Sequence, residues 1–417
     1  MKSIAELKQD NVFCILPWVS AHQSPDGQGS PCCLSTFIYD YDKIEYHDTI
    51  EDLMNSEQFK RLRTDMLNGR RNSACEICYN YEDNTRLISF RNDSNIKFSE
   101  YFDVVEQTAP DGTIPVKARL LDIRFDKLCS MKCRSCSDGF STLWETENRM
   151  HLEEYEVPPA SQVDPDLLLQ SIIEQIPNLQ EIYFAGGEPL ISKYHYIILK
   201  ELIKQGRTDV SLRYNTNLGS LTYKDEDLLA LWEKFDEPVQ LGASLDHYGE
   251  RAEYIRHGVS WDKVEANYRK VLAHPNTQVT ITPTITNLNY VTLGNFLLYL
   301  YNNDILPDGG MMLNLTTQPD VVRSQDLPPG LKAIGYAVFE SAVKAIRDQL
   351  ADPTDLPWLH RCIEVMSTVP TADRSDDNWE KFWRESERLD AIRNESLVDT
   401  FPELAAWCPI IPIKDEN

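Results

Sequence analysis

The sequence predicts an α/β protein, a partial (β/α)6 barrel preceded by a small cysteine-rich domain and followed by a helical C-terminal region. Two observations carry this. Between residues 118 and 323, short β-branched runs alternate with amphipathic helical runs, the pattern of parallel strands joined by helical crossovers. Five of the ten cysteines, by contrast, crowd into the first 95 residues, where turn signals replace the alternation.

In the predicted first domain, residues 1–95, Cys14 lies in FCILPW, Cys32 and Cys33 follow SPDGQGSP, and Cys75 and Cys78 lie in SACEICYN. Pro25, Asp26, Gly27 and Gly29 predict a hairpin that brings Cys14 toward Cys32. Residues 49–68 have helical periodicity, with Leu53, Phe59, Leu62 and Met66 or Leu67 as the buried stripe, and Gly69 ends the run. Hairpin, helix and CxxC can together supply four thiolates to one metal, and a four-cysteine zinc ribbon is an open alternative. Adjacent cysteines rarely share a metal, so Cys32 takes the ligand role and Cys33 is left over. Residues 96–117, containing TAPDGTIPV, read as a linker.

The predicted barrel, residues 118–323, has strands at 118–128, 181–187, 210–217, 239–246, 279–286 and 310–317. Helical runs begin at Pro165, Tyr194, Asp225, Trp261 and Val291. In such folds chemistry gathers at the carboxyl ends of the strands. The first strand leads to Cys129, Cys133 and Cys136. The second ends in Gly186, Gly187, Glu188 and Pro189, the third in Asn215 to Asn217, and the fourth in Ser244, Leu245 and Asp246. Strand alternation makes Tyr183, Tyr214 and Asn314 candidates for the interior, with Arg124 and Asp126 beside them. Residues 324–417 are mainly helical, and their isolated Cys362 and Cys408 read as core residues.

A formal charge of -25 argues against a nucleic-acid surface, which needs clustered Lys and Arg. No run approaches the length of a membrane span, and MKSIAELKQD lacks the apolar core of a signal peptide, so a cytoplasmic protein without membrane partners is expected. In that reducing compartment, cysteines at CxxC-type spacings serve as metal ligands or redox groups rather than disulfides. Three thiols within eight residues are a specific sign. Structural zinc normally takes four protein ligands, whereas a cubane iron–sulfur cluster on three thiolates keeps one iron open.

LCSMKCRSC resembles the CxxxCxxC signature of the radical S-adenosylmethionine (radical SAM) enzymes, and FAGGEPL resembles their GGE motif. Cys14, twelve residues, Gly27, four residues and Cys32, followed by Cys75-x-x-Cys78, resemble half of the auxiliary SPASM module. The shortened form is similar to the twitch domain, placed here before the barrel. The resemblance implies a partial (β/α)6 TIM-like barrel with a small N-terminal iron–sulfur domain. It implies a catalytic 4Fe-4S cluster on Cys129, Cys133 and Cys136, and an auxiliary 4Fe-4S cluster on Cys14, Cys32, Cys75 and Cys78.

S-adenosylmethionine is then expected on the open iron, with Gly186, Gly187 and Glu188 at its amino group. Asn217, Ser244, Asp246 and Arg256 are similar to family positions that contact its carboxylate and ribose. The implied reaction is reductive cleavage to a 5'-deoxyadenosyl radical that abstracts a hydrogen atom. A peptide leads as substrate, with a sugar, amino acid or nucleotide as the alternative, and flavodoxin or ferredoxin would supply electrons. Trp18 and His22 are candidates to line the auxiliary cluster, and Cys33, Cys362 and Cys408 are candidate hydrogen donors. The competing class is a non-enzymatic zinc or electron-transfer protein.

Overall fold

A computed structural model describes residues 3–35, 45–84, 88–158, 160–350 and 356–409. The fold is α/β with a seven-stranded sheet, the partial barrel expected from the sequence. The chain divides into two compact units, Met1–Lys127 with Pro158–Tyr214 and Ala230–Val239, and Leu128–Val157 with Asn215–Leu229 and Gln240–Asn417.

In the first unit, Ser20–Gln23 and Gly29–Ser30 form the expected hairpin. Gly27 at its turn has φ +88, and a Cβ there would stand 2.4 Å from Ser161 Oγ, so the position takes glycine. Ser20–Gln23 pairs in parallel with Leu120–Ile123, which pairs with Glu181–Phe184, which pairs with the first four residues of Ser211–Thr216. Helices Pro165–Gln175 and Lys193–Lys204 make the crossovers. Leu121, Ile123, Ile182, Phe184, Leu212 and Tyr214 alternate onto one side of these strands and are buried. Each such side chain contributes about 1.5–3 kcal/mol when fully removed from water.

The helical run expected at 49–68 is two helices, Ile50–Met54 and Glu57–Leu67. Thr49 accepts from the Asp52 N–H and Ser56 from the Phe59 N–H, so each starts with its own cap. Leu53, Phe59, Leu62 and Met66 are buried as the periodicity predicts. Arg63, fully buried, donates to the carbonyls of Pro17, Met54 and Gly112 at 2.7, 2.7 and 2.8 Å, tying the 109–113 turn into this unit.

In the second unit, Lys132–Cys133 pairs antiparallel with Arg256–His257, and Thr284–Ile285 pairs in parallel with Asn314–Leu315. The strand expected at 279–286 is interrupted after Ile281, because Pro283 has no N–H to give a ladder. The helix expected from Asp225 starts at Leu228, because the hairpin Thr222–Tyr223 with Glu226–Asp227 takes its first residues. Helices Trp261–Ala273, Leu293–Asn302, Pro329–Arg347, Pro357–Thr371 and Asp376–Arg393 complete the unit. Leu293–Asn302 approaches Pro329–Arg347 closely at Gly294, where a Cβ would stand 2.6 Å from the Val338 carbonyl oxygen.

Candidate metal centres and active site

The three-thiol loop belongs to the second unit. Strand register sets Cys133 opposite Arg256. The Cys136 N–H donates to the Cys133 carbonyl at 3.0 Å, so these two thiols share one tight turn. The Trp144 indole donates to the same carbonyl at 2.9 Å, and Ser141 Oγ donates to the Met131 carbonyl at 2.8 Å. Gly258, with φ +99, lies against the loop, where a Cβ would be 2.9 Å from the Ser130 oxygen.

Polar residues from three strand ends meet this loop. Arg256 Nη1 stands 3.7 Å from Cys133 Sγ and its Nε 2.8 Å from Asp246 Oδ2. Asp246 is buried, and its Oδ1 accepts the Thr284 N–H at 2.7 Å. Asn217 Nδ2 donates to Cys129 Sγ at 3.9 Å while its Oδ1 accepts the Gly219 N–H at 2.8 Å. The Ser244 N–H donates to the Thr216 carbonyl at 2.8 Å, which fixes the strand end leading to Asp246. Burial and then the Cys133 thiol push Cys136 up to about 12, and burial raises Cys133 against the pull of Arg256. Burial also works against the Arg256 charge, but Asp246 and Cys133 outweigh it and raise its pKa.

The loop is clamped by ion pairs that sequence reasoning missed. Arg134, 2% exposed, sets Nη2 at 2.6 Å from Asp390 and 2.8 Å from Glu395, with its guanidinium 3.8 Å from the Tyr254 ring centroid. The Tyr254 hydroxyl donates to Asp390 at 2.8 Å, and His257 Nδ1 stands 2.6 Å from Glu395. Glu147 bridges Lys132 and the buried Arg393. The residues on either side of Cys133 and Arg256 are thereby held from Asp376–Arg393 and the turn after it. Partners this far apart leave no local pattern in a sequence.

In the first unit, Gly186 has φ +121 and a Cβ there would stand 3.1 Å from Arg124 Cβ, so the turn after Glu181–Phe184 requires glycine. Gly187 follows it, and the buried Glu188 accepts the Leu190 N–H at 3.0 Å, capping the next turn. Cys75 ends the turn Ser73–Cys75 and Cys78 lies in helix Glu76–Asn84. Cys14 is positioned by its neighbours. The Phe13 carbonyl accepts from Arg91 at 2.5 Å and Asn95 at 2.9 Å, and the Val12 carbonyl accepts from Tyr79 at 2.9 Å.

Residues 124–299 match the family model of the radical SAM superfamily, and residues 14–79 match an iron–sulfur cluster-binding domain, SPASM. The chain carries a radical SAM domain. Its SPASM segment precedes the radical SAM domain, the order expected from the sequence. The chain is similar to a solved structure of native anSMEcpe with bound AdoMet, at 17% identity and a TM-score of 0.38, covering 53% of this chain and 59% of that one. It is also similar to a structure of TYW1 with a lysine-pyruvate adduct bound, at 14% identity and a TM-score of 0.32, covering 56% and 72%. It thus spans less than two thirds of the first of these chains. No curated protein sequence matches it.

A radical SAM domain implies a 4Fe-4S cluster with S-adenosylmethionine, and the SPASM domain implies an auxiliary iron–sulfur cluster. The thiols present fit both. Burial and then Cys75 raise the pKa of Cys14, burial and then Cys14 raise Cys32, and burial and then Cys32 raise Cys75. Burial raises Cys78 as well. Buried thiols that oppose one another's ionisation are a donor set whose thiolate forms a cationic cluster would stabilise. Among the described residues, no three His, Cys, Asp or Glu side chains are gathered into a ready metal shell, so each set is neighbouring rather than convergent.

The remaining candidates of this radical SAM protein are placed as follows. Trp18 is buried and donates to Thr108 at 2.9 Å, and His22 meets Asp122. Cys362 is buried in the core, whereas Cys408, expected there too, is exposed because it follows the short helix Pro402–Ala405. Tyr214, expected inside, lies with the helix-facing apolar residues beside His195 and Trp232, one position out of phase with Tyr183, and Asn314 is exposed.

Proposed function

We propose that this protein is a radical SAM enzyme. It cleaves S-adenosylmethionine reductively and abstracts a hydrogen atom from a substrate, with a peptide as the leading candidate, and an auxiliary 4Fe-4S cluster assists electron transfer. The observation that carries the reading is the juxtaposition of Cys133 with Arg256, itself paired to Asp246, beside Asn217 and Cys129. A three-thiol site needing only structural zinc has no use for a charged guanidinium at its rim.

When bound, the cluster and S-adenosylmethionine supply the 5'-deoxyadenosyl radical chemistry of the superfamily. Cys129, Cys133 and Cys136 would hold the catalytic cluster, and Cys14, Cys32, Cys75 and Cys78 the auxiliary one. Gly186 gives a turn whose backbone would meet a ligand without a side chain in the way, and Gly187 and Glu188 would meet an amino group. Asp246 orients Arg256, whose fork suits the methionine carboxylate. Asn217 and Ser244 complete the polar rim.

We read residues 1–95 as the auxiliary domain, 96–117 as a linker, 118–323 as the barrel and 324–417 as the helical region that clamps the cluster loop. Among the described residues no helix is long and apolar enough to cross a membrane. The proposed location is cytoplasmic, with flavodoxin or ferredoxin as electron donor. Anaerobic reconstitution tests the reading. About eight irons per chain, as two four-iron clusters require, with reductant-dependent cleavage supports it, whereas zinc in both sites and no cleavage would overturn it.

A further inference from the structure

One side of the parallel strands in the first unit is polar where the opposite side is core. Register sets His22, Asp122, Tyr183 and Arg213 in one row, one residue from each of four adjacent strands. Residues paired in this way project from the same face. His22 Nδ1 stands 2.8 Å from Asp122 Oδ2, and Arg124, two residues further along the same face, meets both Asp122 oxygens at 3.3 Å. Arg213 reaches Glu181 at 3.0 Å and stands 5.5 Å from the Tyr183 ring centroid. The half-buried Tyr183 hydroxyl makes no hydrogen bond within the described residues, and the Cys33 thiol lies in the field of Asp122, Arg124 and Arg213.

Stability alone is a weak reason for such a row. Ion pairs buried in a core are commonly no more stabilising than apolar residues of the same volume. Here His22 and Asp122, 2% and 6% exposed, fix Arg124 from behind, while Arg213 keeps 43% of its side chain exposed. Two oriented guanidinium groups and an unengaged phenol on one face are the groups a planar carboxylate takes.

We propose that this row binds the substrate and selects one that presents a carboxylate, with Arg124 and Arg213 as the grip and Tyr183 as a hydrogen-bond donor. This deepens the enzyme reading and rests on it for the word substrate. The test is anaerobic calorimetric titration of the reconstituted protein with malonate, with S-adenosylmethionine binding and cleavage measured separately on the same wild-type preparation. Arg213→Gln and Tyr183→Phe are chosen because Arg213 is partly exposed and its buried partner Glu181 keeps Lys97, and because Tyr183 pairs with no carboxylate. Malonate should bind the wild type, about tenfold more weakly to Arg213→Gln, with partial recovery in Arg213→Lys. Absence of malonate binding, equal binding by wild type and both variants, or tighter binding of inorganic phosphate than of malonate would overturn the carboxylate site. Failure to cleave S-adenosylmethionine while malonate still binds through Arg213 would instead remove the enzyme reading alone.

Discussion

Arg256 Nη1 lies 3.7 Å from Cys133 Sγ while its Nε meets Asp246 Oδ2 at 2.8 Å, so one guanidinium spans a thiol and a buried carboxylate. Arg256→Gln removes that charge and strands Asp246, whose side chain has no exposure. Breaking a buried pair from one side costs about 3–5 kcal/mol. S-adenosylmethionine binding should weaken about tenfold or more, the scale of one charge-assisted hydrogen bond. The midpoint potential of the three-cysteine cluster should also fall, because a nearby positive charge favours the added electron. Redox titration followed by electron paramagnetic resonance checks this, with Arg256→Lys expected to restore part of the potential. An unchanged potential and affinity in Arg256→Gln would remove the assigned role.

The C-terminal clamp predicts a loss confined to one cluster. Arg134→Met strips Asp390 and Glu395 of a shared partner and should cost about 3–5 kcal/mol. Iron retained at Cys129, Cys133 and Cys136 should drop while the N-terminal thiols keep theirs. Iron analysis of the variant with and without Cys14→Ala separates the two sites. Equal loss at both would make the effect global unfolding.

Gly186→Ala should be destabilising by about 1–3 kcal/mol, the cost of a non-glycine residue held in a sparsely populated conformation. Gly139→Ala should be close to neutral, since its Cβ would come no nearer than 3.6 Å, to Ser137 Oγ. Thermal melts of the two variants decide between them, and equal shifts would contradict the turn geometry.

Two buried histidines set an acid limit. Burial lowers His195 to about 3, and burial, then the Arg251 charge, lowers His247 to about 3. A depressed folded-state pKa means that the unfolded chain takes up the proton first. The stability from each neutral ring is therefore present above the ordinary histidine range and is lost as pH falls below about 6.5. Between pH 7 and 5 each histidine should cost about 2 kcal/mol. Glu147 and Glu395 follow the same direction at lower pH. Burial opposes their ionisation, but Arg393 and Lys132 lower Glu147, and His257 and Arg134 lower Glu395, so their contribution fades below the ordinary glutamate range. Urea unfolding at pH 7 and 5 should show the gap between wild type and His247→Gln narrowing by about 2 kcal/mol. A constant gap would contradict the burial account.

Local signals carried most of the fold. Alternation located Glu181–Phe184 and Ser211–Thr216, and periodicity located Pro165–Gln175 and Trp261–Ala273 within a few residues. The paired caps Thr49 and Ser56 were also in the sequence, but one apolar stripe runs across both helices and concealed the break. The three-cysteine loop and GGE turn were legible because their spacing is local. The clamp was not, since Arg134 and Glu395 meet only through the fold. Nor was the row from His22 to Arg213, because parallel register depends on how the crossovers pack, and alternation alone put Tyr183 and Tyr214 on one side when they face opposite ones.

The proposed chemistry depends on Cys129, Cys133 and Cys136 holding the cluster at which S-adenosylmethionine is cleaved. The most direct measurement is 5'-deoxyadenosine formation by the anaerobically reconstituted, dithionite-reduced protein and by the variant with all three cysteines changed to Ala. The wild type should form 5'-deoxyadenosine, and the variant should form none while keeping the iron of its N-terminal site. Product formed by the variant, or none formed by a fully loaded wild type, would contradict the account.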